Sequence, residues 1–267
     1  MAENDNYARA RPATTMRSTW GRRFLTPAAS EPASVPLGGR VYAVGDVHGR
    51  LDLLQRLWAR IEADAEGSPL HKVVVFVGDY VDRGPDSRGV VEFLMQARIA
   101  GGVVLCLRGN HEQSLLDFMD NAAIYRDWKA FGAPETLLSY GVMPPWFDDE
   151  ADFERARLEF VRNCPLRHVR FLKSLTHSYV IGGYLFAHAG VRPGIALDDQ
   201  TEEDLLWIRD EFLTSQMSFG KVVVHGHSPG QAPVRRANRI GIDTGAYATG
   251  CLTAAVLEGT DCRFLST

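Results

Sequence analysis

The sequence predicts an α/β domain (α+β in some schemes) whose core strands run parallel and are joined by crossover helices. Two observations predict it. Three times between residues 41 and 112, a short apolar run ends in Gly-Asp or Gly-Asn and gives way to a stretch of helical periodicity. Each of these polar pairs falls at the carboxyl end of its strand, the edge where open parallel sheets bind ligands.

Taken in order, Val41 to Val44 is the first strand and ends at Gly45-Asp46. Residues 51–63 place Leu53, Leu54, Leu57, Trp58 and Ile61 on one helical face, and Gly67-Ser68-Pro69 stops that helix. Lys72 to Val77 is the second strand, ending at Gly78-Asp79, with a helix over 86–100 stopped by Gly101-Gly102. Val103 to Leu107 is the third, ending at Gly109-Asn110, with a helix starting at Glu112. Residues 113–177 change character. They are polar and aromatic, with helices expected around 113–129 and 150–163 and a break at Pro144-Pro145-Trp146-Phe147. They read as a helical insertion covering part of the site, with Trp128, Tyr140, Trp146 and Phe147 as core, the alternative being that one or two of them line the substrate groove. Further strands are expected at 179–187, 221–225, 239–243 and 252–258. Gly245 and Gly250 suggest that the last of these pair as hairpins.

Residues 1–38 are rich in Arg, Ser, Ala and Pro and read as a disordered tail, leaving 39–267 as the folded domain. The net charge of −4 and pI near 6.1 do not fit a dedicated nucleic-acid binder. No apolar run of about 18 residues marks a membrane span, and the N-terminus lacks a secretory layout. Cys106, Cys164, Cys251 and Cys262 form no CxxC pair. Cys106 reads as a buried thiol, and the pattern suits a reducing cytoplasm, so a cytoplasmic monomer is expected.

The strand ends carry Asp46 and His48, Asp79, Asn110 and His111, His188, and His227. Each alone has a plain structural reading: a turn, a helix cap or a satisfied core histidine. Metal-competent side chains at five separate strand ends are hard to explain that way. Oxygen and nitrogen ligands without thiolate suit Mn²⁺, Fe or Zn²⁺. Two such ions about 3.5–4 Å apart can share a water, lower its pKa and hold both oxygens of an in-line displacement.

GDVHG (45–49), GDYVDRG (78–84) and RGNHE (108–112) resemble the three signature blocks of the phosphoprotein phosphatase branch of the calcineurin-like metallophosphoesterases. FAHAG (186–190), LLWIRDEF (205–212), VHGHSP (224–229) and IDTGA (242–246) resemble the rest of that pattern. The likeness is greatest to small bacterial and phage serine/threonine protein phosphatases and covers about residues 40–260. It implies a four-layer α/β/β/α sandwich with a helical insertion. It also implies two divalent metals, Mn²⁺ first, with Fe and Zn²⁺ as alternatives. One would be held by Asp46, His48 and a bridging Asp79, the other by Asp79, Asn110, His188 and His227. By the same resemblance His111 is the general acid, with Asp82 raising its pKa and fixing its tautomer. Arg83, Arg108 and Arg209 bind phosphoryl oxygens, for which a planar guanidinium fork is suited. His225 reads as structural and Glu112 as a cap or support.

The implied activity is serine/threonine phosphoprotein phosphatase, with phosphoproteins, phosphopeptides or small phosphoesters as substrates and a metal-bridging water or hydroxide as nucleophile. A diadenosine tetraphosphate hydrolase shares the metal core. Its symmetrical members resemble GDIQG where this chain has GDVHG, which favours the phosphatase. A non-catalytic phosphate-recognition module is disfavoured by the completeness of the residue set. A nucleic-acid phosphodiesterase is disfavoured by the acidic pI and by Pro229, which stands where distant relatives carry a last histidine.

Overall fold

The computed structural model describes residues 32–267. The first half of the domain lays down strands β1 (Gly39–Val44), β2 (His71–Phe76) and β3 (Gly102–Cys106), separated by helices α1 (Leu51–Ala65) and α2 (Ser87–Gln96). The three strands are parallel. Side chains alternate across them as the pleat requires. Tyr42, Val44, Val74 and Phe76 pack outward against Leu53 and Leu57 of α1 and Val90 and Leu94 of α2. Val41, Ala43, Val75 and Val77 face the other way, into a second core. A one-residue slip of register would exchange the two sets, so the pattern fixes the pairing. Asp86 caps α2 by accepting from the Gly89 amide at 2.7 Å.

The insertion contains α3 (Asn110–Asp120), α4 (Tyr125–Trp128), α5 (Ala133–Ser139), α6 (Glu150–Asn163) and α7 (Leu166–Ser174). The expected helix over 113–129 is broken at Asn121, whose side chain accepts from the Ala123 amide at 3.0 Å and starts a new turn. α3 itself begins at Asn110, two residues before the expected start. Trp128 and Tyr140 are buried, but Trp146 and Phe147 are 76% and 71% exposed, against expectation. Their amides donate to Asp152 at 2.5 and 2.9 Å, which holds the backbone while the rings project.

The second half forms the other sheet and closes the first. β4 (Ser178–Ile181) and β5 (Tyr184–Ala187) form a hairpin, where the sequence suggested one strand over 179–187. The chain reverses at Gly182, at φ +56°. After α8 (Glu202–Trp207) and α9 (Asp210–Thr214) come β6 (Val222–His225), β7 (Val234–Arg235) and β8 (Arg239–Gly241). These build the order β4-β5-β6-β8-β7. α10 (Ala246–Thr249) then leads to β9 (Thr253–Glu258) and β10 (Asp261–Ser266), which complete the first sheet as β10-β9-β1-β2-β3. β8 and β9 therefore do not form the expected hairpin: β8 runs parallel to β6, and β9 pairs antiparallel with β1 and β10.

The inner faces of both sheets meet in one core, where Val41, Ala43 and Val75 pack with Phe186, Val224 and Ile240. Leu185 and Val223 point outward beneath Leu205 of α8 and Phe212 of α9. The result is a helix/sheet/sheet/helix stack. Ordered packing begins before residue 39. The Val35 side chain enters the inter-sheet core and its amide donates to Gly259 at 2.8 Å, so residues 33–38 belong to the domain and not to a tail. Residues 1–31 of the expected tail lie outside the described residues. Cys106 as a whole residue is half-buried on its edge strand, but burial of the thiol pushes its pKa up to about 12, as expected of a buried thiol. Among the described residues no helix is long and apolar enough to cross a membrane.

The insertion is tied to α2 by a polar chain. Buried His168 contacts the Tyr140 hydroxyl through Nδ1 at 3.0 Å and Glu92 Oε2 through Nε2 at 2.7 Å. Arg167 reaches the same oxygen at 2.9 Å. The His168 hydrogen bond first, then that of Arg167, pushes the Glu92 carboxyl down to about 2 from its ordinary 4.5. A depressed carboxylate contributes stability that is present above its unfolded pKa and lost as pH falls through the folded one. Glu92 is about a third exposed, so solvent screening trims the effect to about 1 kcal/mol. Glu92→Gln should destabilise by about that much at pH 7 in urea unfolding, and the gap should close between pH 4.5 and about 2. A gap independent of pH would contradict this.

Candidate metal centre and phosphate cavity

The site lies at the carboxyl ends of β1, β2, β3, β5, β6 and β8. Its backbone is unusual: His48, Asp79, Asp82, Arg83 and His227 all sit at positive φ, between 45° and 71°. For residues other than glycine each such conformation costs about 1–3 kcal/mol and persists only when the surroundings enforce it. Here they do. The loop after β1 is stitched to the loop after β2, with the Val47 and His48 amides donating to the Asp79 carbonyl at 3.0 and 2.9 Å. Glu112 accepts from the amides of Asp79, Tyr80, Val81 and Gly109 at 2.7–3.2 Å, binding the ends of β2 and β3 together. Gly109 must lack a side chain, because a Cβ there would run into the Asp79 carboxylate.

The ring tautomers follow from these contacts. His48 Nδ1 lies 2.9 Å from the Val81 carbonyl, and His188 Nδ1 lies 3.0 Å from the Val77 carbonyl. A carbonyl only accepts, so both Nδ1 atoms carry the proton and both Nε2 atoms present lone pairs. His48 Nε2 faces Asp79 Oδ2 at 3.6 Å. His188 Nε2 faces Asp79 Oδ1 at 3.3 Å, Asn110 Oδ1 at 2.9 Å and His227 Nδ1 at 3.2 Å. Asp46 accepts from the His227 amide at 2.9 Å through Oδ2, while its buried Oδ1 has no hydrogen-bond partner among the described residues. Electron pairs therefore converge from both sides of Asp79 with few protons between them. Such a donor set fits divalent cations, and the groups His48–Asp79–His111 and Asp79–His188–His227 each bring ligand atoms within 4.8 Å of one another.

Electrostatics agree with the geometry. Burial first, then Asp243, raises the Asp46 carboxyl well above the ordinary range. Burial first, then Glu112, does the same to Asp79. Burial likewise holds His48 and His188 well below the usual imidazole range. Buried carboxylates and unprotonated imidazoles in one cluster are groups whose ligating forms a divalent cation would stabilise.

Above these groups opens a cavity of about 230 Å³ lined by His48, Asp79, Arg83, His111, Arg209 and His227, together with Pro229, Asp243 and Tyr247. Arg83 stacks over the Tyr247 ring, 4.4 Å from its centroid, and its amide is held by the Gly132 carbonyl of the insertion at 3.2 Å. His111 Nδ1 contacts Asp82 Oδ2 at 2.7 Å. Asp82 is fully buried and also accepts from Trp128 Nε1 at 2.7 Å and Thr136 Oγ1 at 2.6 Å. The expected rise in the His111 pKa is not found. Burial, then Arg83 and Arg209, pushes His111 down to about 3, while burial pushes Asp82 up to about 7.

Asp46, His48, Asp79, Asn110, His111, Asp82, His188, His227, Arg83 and Arg209 thus converge. Arg108 does not. Its guanidinium turns to Gln113 at 3.0 Å and to the Lys173 carbonyl at 3.1 Å, away from the cavity. His225 packs behind the site against Phe212 and Arg239. Sequence reasoning missed Asp243 and Tyr247, although Asp-Thr-Gly after a strand was the available signal. It also missed Trp128 and Thr136 as the partners that hold Asp82.

Asp79 is common to both groups, so Asp79→Asn should impair both. After equilibration with Mn²⁺ and desalting, the native chain should retain about two ions by elemental analysis and the variant fewer than about one. At a ligand excess of about 100 Kd each native site should stabilise by about 2.7 kcal/mol in melting experiments, a gain that the variant loses. Equal metal content in both chains would contradict the assignment.

Residues 39–252 match the model of the calcineurin-like phosphoesterase family. The chain is similar to serine/threonine-protein phosphatase 1 of Salmonella typhimurium, at 28% identity over 82% of this chain and 92% of that protein. It is also similar to the asymmetrical bis(5′-nucleosyl)-tetraphosphatase PrpE of Bacillus cereus, at 25% identity over 79% and 87%. Among solved structures it resembles one provisionally described as a diadenosine tetraphosphatase, with a TM-score of 0.61 and 24% identity over 88% of this chain and 98% of that one. It also resembles the cold-active protein-tyrosine phosphatase of a psychrophilic Shewanella, with a TM-score of 0.52 and 17% identity over 85% and 80%. At these identities the structural likeness is one of fold. Fold, strand-end residues and family match agree, and the chain belongs to the calcineurin-like phosphoesterase family.

Proposed function

We propose that this domain is a metal-dependent phosphomonoesterase acting on phosphoserine and phosphothreonine in proteins. The observation that carries the reading is His111, locked through Nδ1 to Asp82 on the wall of a cavity that also holds two arginines. Bound by Asp46, His48 and Asp79 on one side and by Asp79, Asn110, His188 and His227 on the other, two divalent cations would supply an acidified water and charge neutralisation. Arg83 and Arg209 bind and orient the phosphoryl oxygens. Asp82, clamped by Trp128 and Thr136, keeps His111 Nδ1 protonated, so that Nε2 is the atom exchanging a proton with the leaving oxygen. Burial first, then Arg83 and Arg209, holds the His111 pKa down, and a dianionic phosphoryl group between the two arginines offsets their part of that push.

A general acid matters most when the leaving group is a poor one. Serine and threonine alkoxides are poor leaving groups, whereas a nucleotide phosphate leaves readily as an anion. The cavity volume suits one phosphoryl group on a short ester arm. The dinucleotide reading retains support from the Bacillus relative. The two are separated by turnover of a phosphoserine peptide against diadenosine tetraphosphate in Mn²⁺. The peptide should be hydrolysed with the higher kcat/KM, and a clear preference for the dinucleotide would reverse the reading. His111→Gln should lower kcat on the peptide by about 100-fold or more and affect an activated aryl phosphate much less. Equal losses on both substrates would remove His111 from the acid role.

A further inference from the structure

Away from the catalytic cavity, the chain has a larger groove of about 520 Å³. Its floor is the outer edge of β3, with Val104, Leu105 and Cys106, and its far end reaches Tyr179 of β4. One wall is the end of α2 with Met95 and Arg98, and the other is α7 with Arg167, Arg170 and Phe171. Among the described residues both β3 and β4 are the last strands of their sheets, so each offers an outer edge without a strand partner there. The only pairing beyond β3 among the described residues is the single bridge between Leu107 and Thr176. Exposed strand edges are usually blunted or covered, because they pair readily with any extended chain.

The charge of the groove is one-sided. Arg98, Arg167 and Arg170 line it, and among the described residues no carboxylate does. Arg98 spends part of its guanidinium on the Met95 and Ala97 carbonyls, and Arg167 is paired with Glu92. Arg170 makes no ion pair among the described residues, and Lys173 continues the basic ridge one turn further along α7. An open strand edge, apolar side-chain contacts and unmatched guanidinium groups are the elements of strand-addition recognition, in which main-chain bonds give affinity and alternate side chains give specificity.

We infer that this groove is a docking site for an extended peptide segment that alternates acidic and apolar residues, presented by the phosphoprotein substrate. The inference rests on the phosphoprotein reading for its biological role, but not for the binding itself. The acidic side chains meet Arg98 and Arg170, the apolar ones enter between Leu105 and Phe171, and the peptide backbone pairs with β3. The site raises substrate affinity without touching the reacting atoms.

The test uses the full chain and a short, unphosphorylated fluorescent peptide of alternating glutamate and leucine, followed by anisotropy. A lysine-for-glutamate counterpart and laurate serve as controls. The glutamate peptide should bind, the lysine peptide should not, and Arg170→Glu should weaken binding by about tenfold or more, with Arg98→Glu acting in the same direction. Turnover of a small aryl phosphate should be unchanged in both variants, which also reports that they fold. A phosphoserine peptide carrying the glutamate–leucine segment should show a KM that rises in Arg170→Glu, with kcat unaltered. Equal binding of the two peptides, indifference to both substitutions, or binding of laurate alone would overturn the inference. Peptide binding as expected with no phosphopeptide hydrolysis would leave the groove standing and refute the phosphoprotein reading. Hydrolysis with a KM indifferent to the acidic segment would do the reverse.

Discussion

Asp79 is the group on which the rest of the site depends. Its two oxygens face opposite ways, one toward His48 and the other toward His188. It is buried and held in a left-handed backbone conformation. Glu112 grips its amide, and Gly109 leaves room for its carboxylate. A carboxylate placed in this way, with lone pairs converging on each oxygen, is a costly arrangement unless positive charge arrives between them. The strained residues around it are the backbone's share of that cost.

The double sandwich explains how these groups meet. The first sheet delivers Asp46, Asp79 and Asn110 at the ends of β1, β2 and β3, and the second delivers His188 and His227 at the ends of β5 and β6. The shared inter-sheet core sets the two edges against each other. The insertion then contributes more than cover. Trp128 and Thr136 hold Asp82, and the Gly132 carbonyl holds Arg83, so the proton-handling pair and one phosphate-binding arginine are positioned by residues far away in sequence.

Much of this was legible in the sequence because strand ends announce themselves. An apolar run closed by Gly-Asp, Gly-Asn or Ala-His locates a side chain at a sheet edge, and parallel topology brings such edges together. What was not legible depends on directions and partners that spacing does not encode. Arg108 sits beside Gly109-Asn110 in sequence, yet its side chain leaves the site toward Gln113 and α7. Asp243 and Tyr247 flank β8 and α10, elements too short to show periodicity. The strand over 179–187 hid a hairpin, because Gly182-Gly183 reads equally well as a weak spot in one strand. The low pKa of His111 could not be read from its pairing with Asp82, since burial outweighs that contact. The outward rings of Trp146 and Phe147 contradict composition alone, which places aromatic residues in a core.

The most direct test of the central claim is anomalous diffraction from crystals grown with Mn²⁺ and measured at the manganese edge. Two anomalous peaks, one on each side of the Asp79 carboxylate within coordination distance of the His48 and His188 Nε2 atoms, are the predicted result. A single peak remote from Asp79, or none at full Mn²⁺ loading, would contradict the account.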